Sequence, residues 1–397
     1  MNLTRRQMLH GACGCLAAAA TGCVSTESSR PLPDSNYTPT SQSLEGGLWR
    51  MFEDIEEEVR YSPARVTEPK LNTYLTGLAC DLAGDHCRNL RVYVMETPHF
   101  NATMAPNGMM QIWTGLLLRC RNEAELAAVI GHEIGHYTRR HSLQRYELLS
   151  NQASIAAFFG VALAGVGGGA FASLPTLIAV ANFLAYSREQ EREADSIGLE
   201  LMSKAGYAPI AASQIWRGLV QEVDAGLDSD EKEDRRQREA VWTATHPTKD
   251  ERIAALERQA RLMGITSGGD FRTESYLAAV RPHRDEMMEA ELSLHQYDRT
   301  LVLIDRLAAA YPDDASVSYY RGEVNRRRNA AGDDLRASNA YGAALEKDPE
   351  HARSWRGLGL VHRRGGRHEK ARDAFRNYLR LDPAASDHLM IQSYLGA

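Results

Sequence analysis

Asn122 to His141 reads NEAELAAVIGHEIGHYTRRH, and the pentad His132-Glu133-Ile134-Gly135-His136 inside it decides how the rest of the chain is read. Two histidines four apart on an α-helix stand one above the other, so both imidazoles can face one metal ion. Glu133 is displaced around the helix from that pair and suits another task, taking the proton of the water that attacks a peptide carbonyl. Asn122 predicts an N-cap, and Glu125 three residues on predicts a capping box. Leu126, Ile130 and Ile134 form an apolar column opposite the histidines. Ala127, Gly131 and Gly135 form a third column, of small residues. Two glycines inside a helix cost about 1 kcal/mol each unless another element packs closely on them, so the pattern predicts a buried helix with a near neighbour.

A third ligand is offered between Ser187 and Asp195 (SREQEREAD). Ser187 and Gln190 predict a second capping box, which puts Glu191 in the first turn of a helix and Asp195 one turn further on the same face. A Glu191 carboxylate facing the histidines completes a three-ligand site with an open position, the arrangement of catalytic zinc, with one Zn2+ per chain. Asp195 is then placed to accept the free N–H of a ligand histidine and fix its tautomer. Read alone, the stretch also fits a solvated charged face, because Glu189, Glu191 and Glu193 alternate with arginines.

HEIGH followed by Glu191-x-x-Ala194-Asp195 resembles the gluzincin metallopeptidases that include the CAAX prenyl proteases and HtpX. Within them the layout is similar to the β-barrel assembly-enhancing subfamily, a periplasmic metalloprotease domain followed by tetratricopeptide repeats. The resemblance runs from about Leu44 to the C-terminus and takes in Asn101-Ala102, Pro106-Asn107-Gly108, Trp113 to Leu117 and His246-Pro247. It implies a mainly α fold with a small β-sheet, in which a zincin-like metalloprotease domain (44–265) precedes an α-helical tetratricopeptide solenoid (275–397). It also implies that a strand carrying Asn101, Ala102, Thr103 and Met104 lies along the cleft and pairs with extended substrate, although a purely structural hairpin fits those residues equally well. His246 matches the family's His-Pro pair and is a candidate to approach the open metal position, either stabilising an oxyanion or displacing the catalytic water. Arg252 is a second oxyanion candidate.

The 397 residues suggest two or three domains, and 43 % hydrophobic with 25 % charged residues is ordinary for a globular protein. A net charge of −6 argues against a nucleic-acid partner. Residues 1–23 read as an export signal: Arg5-Arg6 resembles a twin-arginine motif, an uncharged small-residue stretch follows, and Ala20-Thr21-Gly22-Cys23 resembles a lipobox with Cys23 as the lipidated residue. Residues 24–43 read as a flexible linker. The expected location is therefore the periplasm, with a lipid anchor on a membrane, most naturally the outer one. Cys80 and Cys87 can form a short disulfide and leave Cys120 unpaired, with other pairings open.

Leu44–Arg60 and Glu68–Ala83 read as helices, Leu90–Glu96 as a strand, and 101–104 with 109–113 as a hairpin. Leu148 to Ser187 contains no charged residue, but Gly167-Gly168-Gly169 and Pro175 divide it into pieces shorter than the roughly 20 residues of a membrane span, so buried helices or an interfacial hairpin are expected. Tyr207–Val223 reads as a further helix, and the mixed-charge segment Asp224–Ala240 as a solvated loop, helix or lid. The last ~120 residues repeat at the helical-repeat period. Trp355, Leu358, Gly359, His362, Ala371, Phe375 and Pro383 reproduce the tetratricopeptide pattern, and Ala337, Tyr341, Ala344 and Pro349 repeat its second half. Pro312 marks a weaker unit.

The function expected is a zinc metalloendopeptidase of the bacterial cell envelope, cleaving misfolded or stalled proteins in extended or unfolded form. The repeats would recruit substrates or outer-membrane assembly machinery. The alternative is a chaperone or assembly scaffold that acts through its repeats, with minor or gated proteolysis.

Overall fold

The computed structural model describes residues 34–149, 186–227, 250–263 and 268–396. The expected signal with Cys23, nearly all of the uncharged stretch, most of the mixed-charge segment and His246 lie outside the described residues. Among the described residues no helix is long and apolar enough to cross a membrane.

The first half builds a small sheet and then lays helices on it. Helix α1 (Leu44–Tyr61) starts on Ser43, and a short strand β1 (Arg65–Val66) and helix α2 (Pro69–Ala83) follow. Next come β2 (Arg91–Met95), β3 (Ala102–Met104) and β4 (Met109–Trp113), in the sheet order β1-β2-β4-β3. β2 runs parallel to β4 with Val92 opposite Met110, and β3 runs antiparallel to β4 with Thr103 opposite Gln111. The hairpin turns at Gly108, where φ is +89° and an added Cβ would stand 2.1 Å from the Asn89 carbonyl oxygen, so no other residue fits. Cys80 and Cys87 are joined in a disulfide, and Cys120 is free and buried.

Helix α3 (Thr114–Arg119) leads into α4 (Glu123–Thr138), which carries HEIGH and is buried from Glu123 to Tyr137. Asn122 caps it by accepting from the Glu125 amide at 2.9 Å. The capping box expected there is not completed. The Glu125 carboxylate instead accepts from the Arg121 amide at 2.7 Å and pairs with its guanidinium, a charged donor that outbids the Asn122 amide. Helix α5 (His141–Leu149) follows after a reversal at Arg140 (φ +56°). The second capping box forms as expected, with Ser187 and Gln190 opening α6 (Arg188–Lys204). Helices α7 (Ile210–Leu227), starting three residues later than the sequence suggested, and α8 (Asp250–Leu262) close this half.

The near neighbour predicted by the small-residue column is α6. A Cβ on Gly131 would lie 3.2 Å from Gly198 Cα, and one on Gly135 would lie 3.0 Å from Ala194 Cα. From the other side, a Cβ on Gly198 would stand 2.8 Å from the His132 backbone nitrogen. The two backbones therefore touch, and Glu191 and Asp195, on the turns around Ala194, are brought over the histidine face.

The second half is a stack of helical hairpins. After α9 (Thr273–Val280), the pairs are α10 (Arg284–Ser293) with α11 (Tyr297–Ala310), α12 (Ala315–Arg328) with α13 (Asp333–Lys347), and α14 (Ala352–Arg364) with α15 (His368–Leu381). α16 (His388–Leu395) closes the end by burying Ile391. Gly359 makes room for the Phe375 ring, which is why the pattern needs a small residue there. One hydrophobic cluster runs from Leu71, Leu126 and Ile130 through Met288 and Leu303 to Tyr341, so the repeats and the sheet-bearing half share a core. At the junction Arg119, fully buried, binds Glu222 of α7 at 2.7 Å and Glu291 of α10 at 2.9 Å.

Two stability tests follow from this packing. Gly198→Ala forces a Cβ against main chain that cannot yield and should lower stability by about 1–3 kcal/mol, despite the better helix propensity of alanine. Gly342→Ala, in α13 with nothing within 4 Å, should instead raise it by about 0.5–1 kcal/mol in the same urea titration. The second test uses Glu323, buried between α12 and α13. Burial alone would raise its pKa, but bonds from Arg326 at 2.6 Å and from the Tyr341 hydroxyl at 2.5 Å hold it at about 2. A depressed carboxylate stabilises the fold above its unfolded value and loses that contribution as pH falls from about 4.5 through about 2. The full loss is about 3 kcal/mol. Urea unfolding compared at pH 5 and pH 3 should show a smaller difference in Glu323→Gln than in the natural chain.

Candidate metal centre

The contact of α4 with α6 places three donors around one point. His132 Nε2 and His136 Nε2 lie 3.0 Å apart. The Glu191 carboxylate reaches both, Oε2 standing 3.4 Å from His132 Nε2 and Oε1 3.4 Å from His136 Nε2. Atoms held tetrahedrally at the usual zinc–ligand lengths stand about 3.3 Å from one another, so the observed spacing suits that ion. All three residues are buried and together form a group able to hold a metal ion. Glu133 is buried on the same helix, and its charge is felt at both Tyr186 and Arg252.

Each histidine is steered by its other ring nitrogen. His132 Nδ1 lies 2.9 Å from Asp195 Oδ1, the partner the sequence suggested. Asp195 is itself gripped by Arg252, whose Nε and Nη2 donate to its two oxygens at 2.8 and 2.6 Å. Burial would raise the Asp195 pKa, but Arg252 and His132 pull it below the ordinary aspartate value. Burial and Arg252 push His132 down, yet Asp195 and Glu191 outweigh them and raise it to about 9. Burial also disfavours the Arg252 charge, but Asp195 and Glu191 hold it firmly protonated.

Arg252 therefore spends two of its three nitrogens on Asp195. Its Nη1 is buried, has no hydrogen-bond partner among the described residues, and stands 3.5 Å from Glu191 Oε2. The guanidinium also lies 4.1 Å above the Trp216 ring of α7, whose edge approaches His132 and Phe100. A cavity of 80 Å³, lined by Arg188, Glu191, Arg192, Asp195, Glu251 and Arg252, opens beside the Glu191 carboxylate.

Asn101, Ala102, Thr103 and Met104 lie at the β3 edge of the sheet, packed against α4, and all four are buried. The Asn101 carbonyl accepts from the Trp113 amide, so the ladder begins one residue before the strand. His246 and Cys23 lie outside the described residues.

Four residues at the site had no role in the sequence reading. His141 Nδ1 is 2.8 Å from His136 Nδ1, and its Nε2 is 3.2 Å from Glu193. Tyr186 stacks on His136 with ring centroids 3.9 Å apart, and Trp216 supports Arg252. Burial pushes the His141 pKa down, partly offset by Glu193, and pushes the Tyr186 hydroxyl above its ordinary value. The signal for His141 was present, five residues past His136, but only the reversal at Arg140 turns it back onto that ring.

Two family models match the chain. The description Peptidase family M48 fits residues 66–260, and the description Tetratricopeptide repeat fits residues 330–386. Among curated relatives, the chain is 31 % identical over 166 residues to the mitochondrial metalloendopeptidase OMA1 of Schizosaccharomyces pombe, covering 42 % of this chain and 45 % of that one. It is 25 % identical over 269 residues to the beta-barrel assembly-enhancing protease of Escherichia coli, covering 64 % and 52 %. A Vibrio cholerae protein provisionally given the same name is 26 % identical over 336 residues, covering 76 % and 68 %. The chain thus spans between 45 % and 68 % of the length of these relatives. With its HEIGH helix and facing Glu191 helix inside the matched segment, the stretch 66–260 is that of a peptidase family M48 domain, and tetratricopeptide repeats follow behind it.

Proposed function

We propose that this chain is a zinc-dependent endopeptidase of the bacterial cell envelope that cleaves extended segments of misfolded or stalled envelope proteins. The observation that carries the reading is the convergence of His132, His136 and Glu191, donor atoms 3.0 to 3.4 Å apart, with Glu133 buried beside them. When bound there, zinc supplies Lewis-acid polarisation of a peptide carbonyl and of the attacking water. Glu133 takes the proton from that water and passes it to the leaving amine. Arg252 Nη1, buried and without a hydrogen bond among the described residues, stabilises the charge that develops on the carbonyl oxygen, while the rest of the guanidinium keeps Asp195 on His132. β3 receives substrate by strand addition once the buried segment 101–104 is uncovered, with main-chain bonds giving affinity and little side-chain selectivity.

The envelope setting is supported by the Arg5-Arg6 and Cys23 motifs, and by the name of the Escherichia coli relative, which concerns β-barrel assembly. In this reading Cys23 carries lipid and holds the chain at a membrane. The repeats then recruit protein substrates, or the machinery that assembles outer-membrane proteins.

The direct test is metal content with casein cleavage. The purified chain should hold about one zinc, and His132→Ala, His136→Ala and Glu191→Ala should each lose it, since each removes one of three protein ligands. Glu133→Gln should keep zinc while cleavage falls by about 10²- to 10⁴-fold. Full cleavage by that variant would leave Glu133 without a catalytic task, and retained biological function without cleavage would favour the scaffold. A further expectation concerns His246, because a tethered imidazole competes well for an open zinc position. His246→Ala should raise basal cleavage with zinc content unchanged. Lost cleavage with metal intact would instead assign His246 to the oxyanion.

A further inference from the structure

The two ligand histidines are held by different chemistry. His132 gives its Nδ1 to a carboxylate, Asp195, at 2.9 Å. His136 meets another imidazole, with Nδ1 of His136 and Nδ1 of His141 only 2.8 Å apart and both rings fully buried. Two nitrogens that close share one proton, so one must donate and the other accept.

The direction is settled by what lies at the far ends. His136 Nε2 points at the common donor point, 3.0 Å from His132 Nε2 and 3.4 Å from Glu191, and must present a lone pair to ligate. The proton of neutral His136 therefore sits on Nδ1 and is donated to His141 Nδ1. His141 then carries its own proton on Nε2, and a carboxylate oxygen of Glu193 stands 3.2 Å from that atom to accept it. Arg139 holds the Glu193 carboxylate in turn at 3.1 Å, and the Tyr186 ring, anchored by Ser142 at 2.8 Å, covers the face of His136.

We infer that His141 and Glu193 are positioning residues for the metal ligand His136, forming a donor chain from His136 to His141 to Glu193 that fixes its tautomer and ring orientation. This deepens the metal reading of the site and rests on it. Glu193 does so from α6, the helix that supplies Glu191, so one helix provides a ligand and the outer support of both histidines. The chain also explains why His141 follows the Arg140 reversal, which turns its ring back toward α4.

The test is zinc affinity, read by competition with a chromophoric chelator, beside the melting temperature of the zinc-free proteins. His141→Ala removes the acceptor and should weaken zinc binding by about 10- to 100-fold, the usual effect of losing such a partner. His141→Asn places an amide oxygen where Nδ1 stood and should restore most of that affinity. Glu193→Ala, at a partly exposed position, should weaken it several-fold. A purely structural role for His141 predicts the opposite pattern, lower melting temperatures with affinity unchanged. Equal affinity in the natural chain and His141→Ala, or Asn no better than Ala, overturns the inference while the metal site stands. If His141→Ala does not fold, unchanged affinity in Glu193→Ala overturns it. A natural chain that takes up no zinc overturns the metal reading and this inference together.

Discussion

The backbone contact of α4 with α6 is the constraint on which the site depends. Side-chain packing normally keeps helix axes 8–10 Å apart, and a carboxylate on one helix then reaches a histidine on the other only through a long, loosely held side chain. Gly131, Gly135, Ala194 and Gly198 remove that separation, so Glu191 meets His132 and His136 at 3.4 Å with a short and buried reach. Two glycines inside α4 weaken it as an isolated helix by about 1 kcal/mol each. The close packing they permit offsets that loss, and it is available only in the folded protein.

A second constraint ties the metal centre to the repeats. α7 carries Trp216 beneath Arg252 and, six residues on, Glu222 at the junction with the helical stack. Glu222 binds Arg119 and Arg306, and Arg119 binds Glu291, so a buried charge network runs from α3 through α7 into the first repeat hairpin. Charges buried this way add little net stability over apolar packing. Removing one member, however, leaves the others uncompensated at about 3–5 kcal/mol, so the network specifies one arrangement and penalises others.

The sequence made the converging donors legible because helical geometry is local. HEIGH needs only the 3.6-residue period, and the Ser187–Gln190 box fixes the start of α6, so His132, His136, Glu191 and Asp195 could be named from spacing. The small-residue column announced a close neighbour without saying which helix it was. The contact of His141 with His136 was not legible from spacing alone, because it depends on the left-handed Arg140, held by Glu45 at 3.0 Å, and no local pattern reports a bond made to a residue 95 positions away. The task of Arg252 was equally hidden. The sequence offered it only as an oxyanion candidate, and the fold reveals that two of its nitrogens are committed to Asp195. The same limit applied at Glu125, where a competing arginine broke the expected capping box.

The shared core bears on how the repeats can serve the metal centre. In a chain whose two halves were joined by a linker, the repeats would raise the local concentration of substrate but leave its path to the metal undefined. Here Leu126 and Ile130 of α4 belong to the same cluster as Met288, Leu303 and Tyr341 of the repeats, with no break at the boundary. The repeat stack is therefore held at a set distance and direction from His132 and His136, and so would be any segment bound in it. Under the proposed function, selection would depend less on side chains near the scissile bond than on how much extended chain lies between the bound element and the β3 edge.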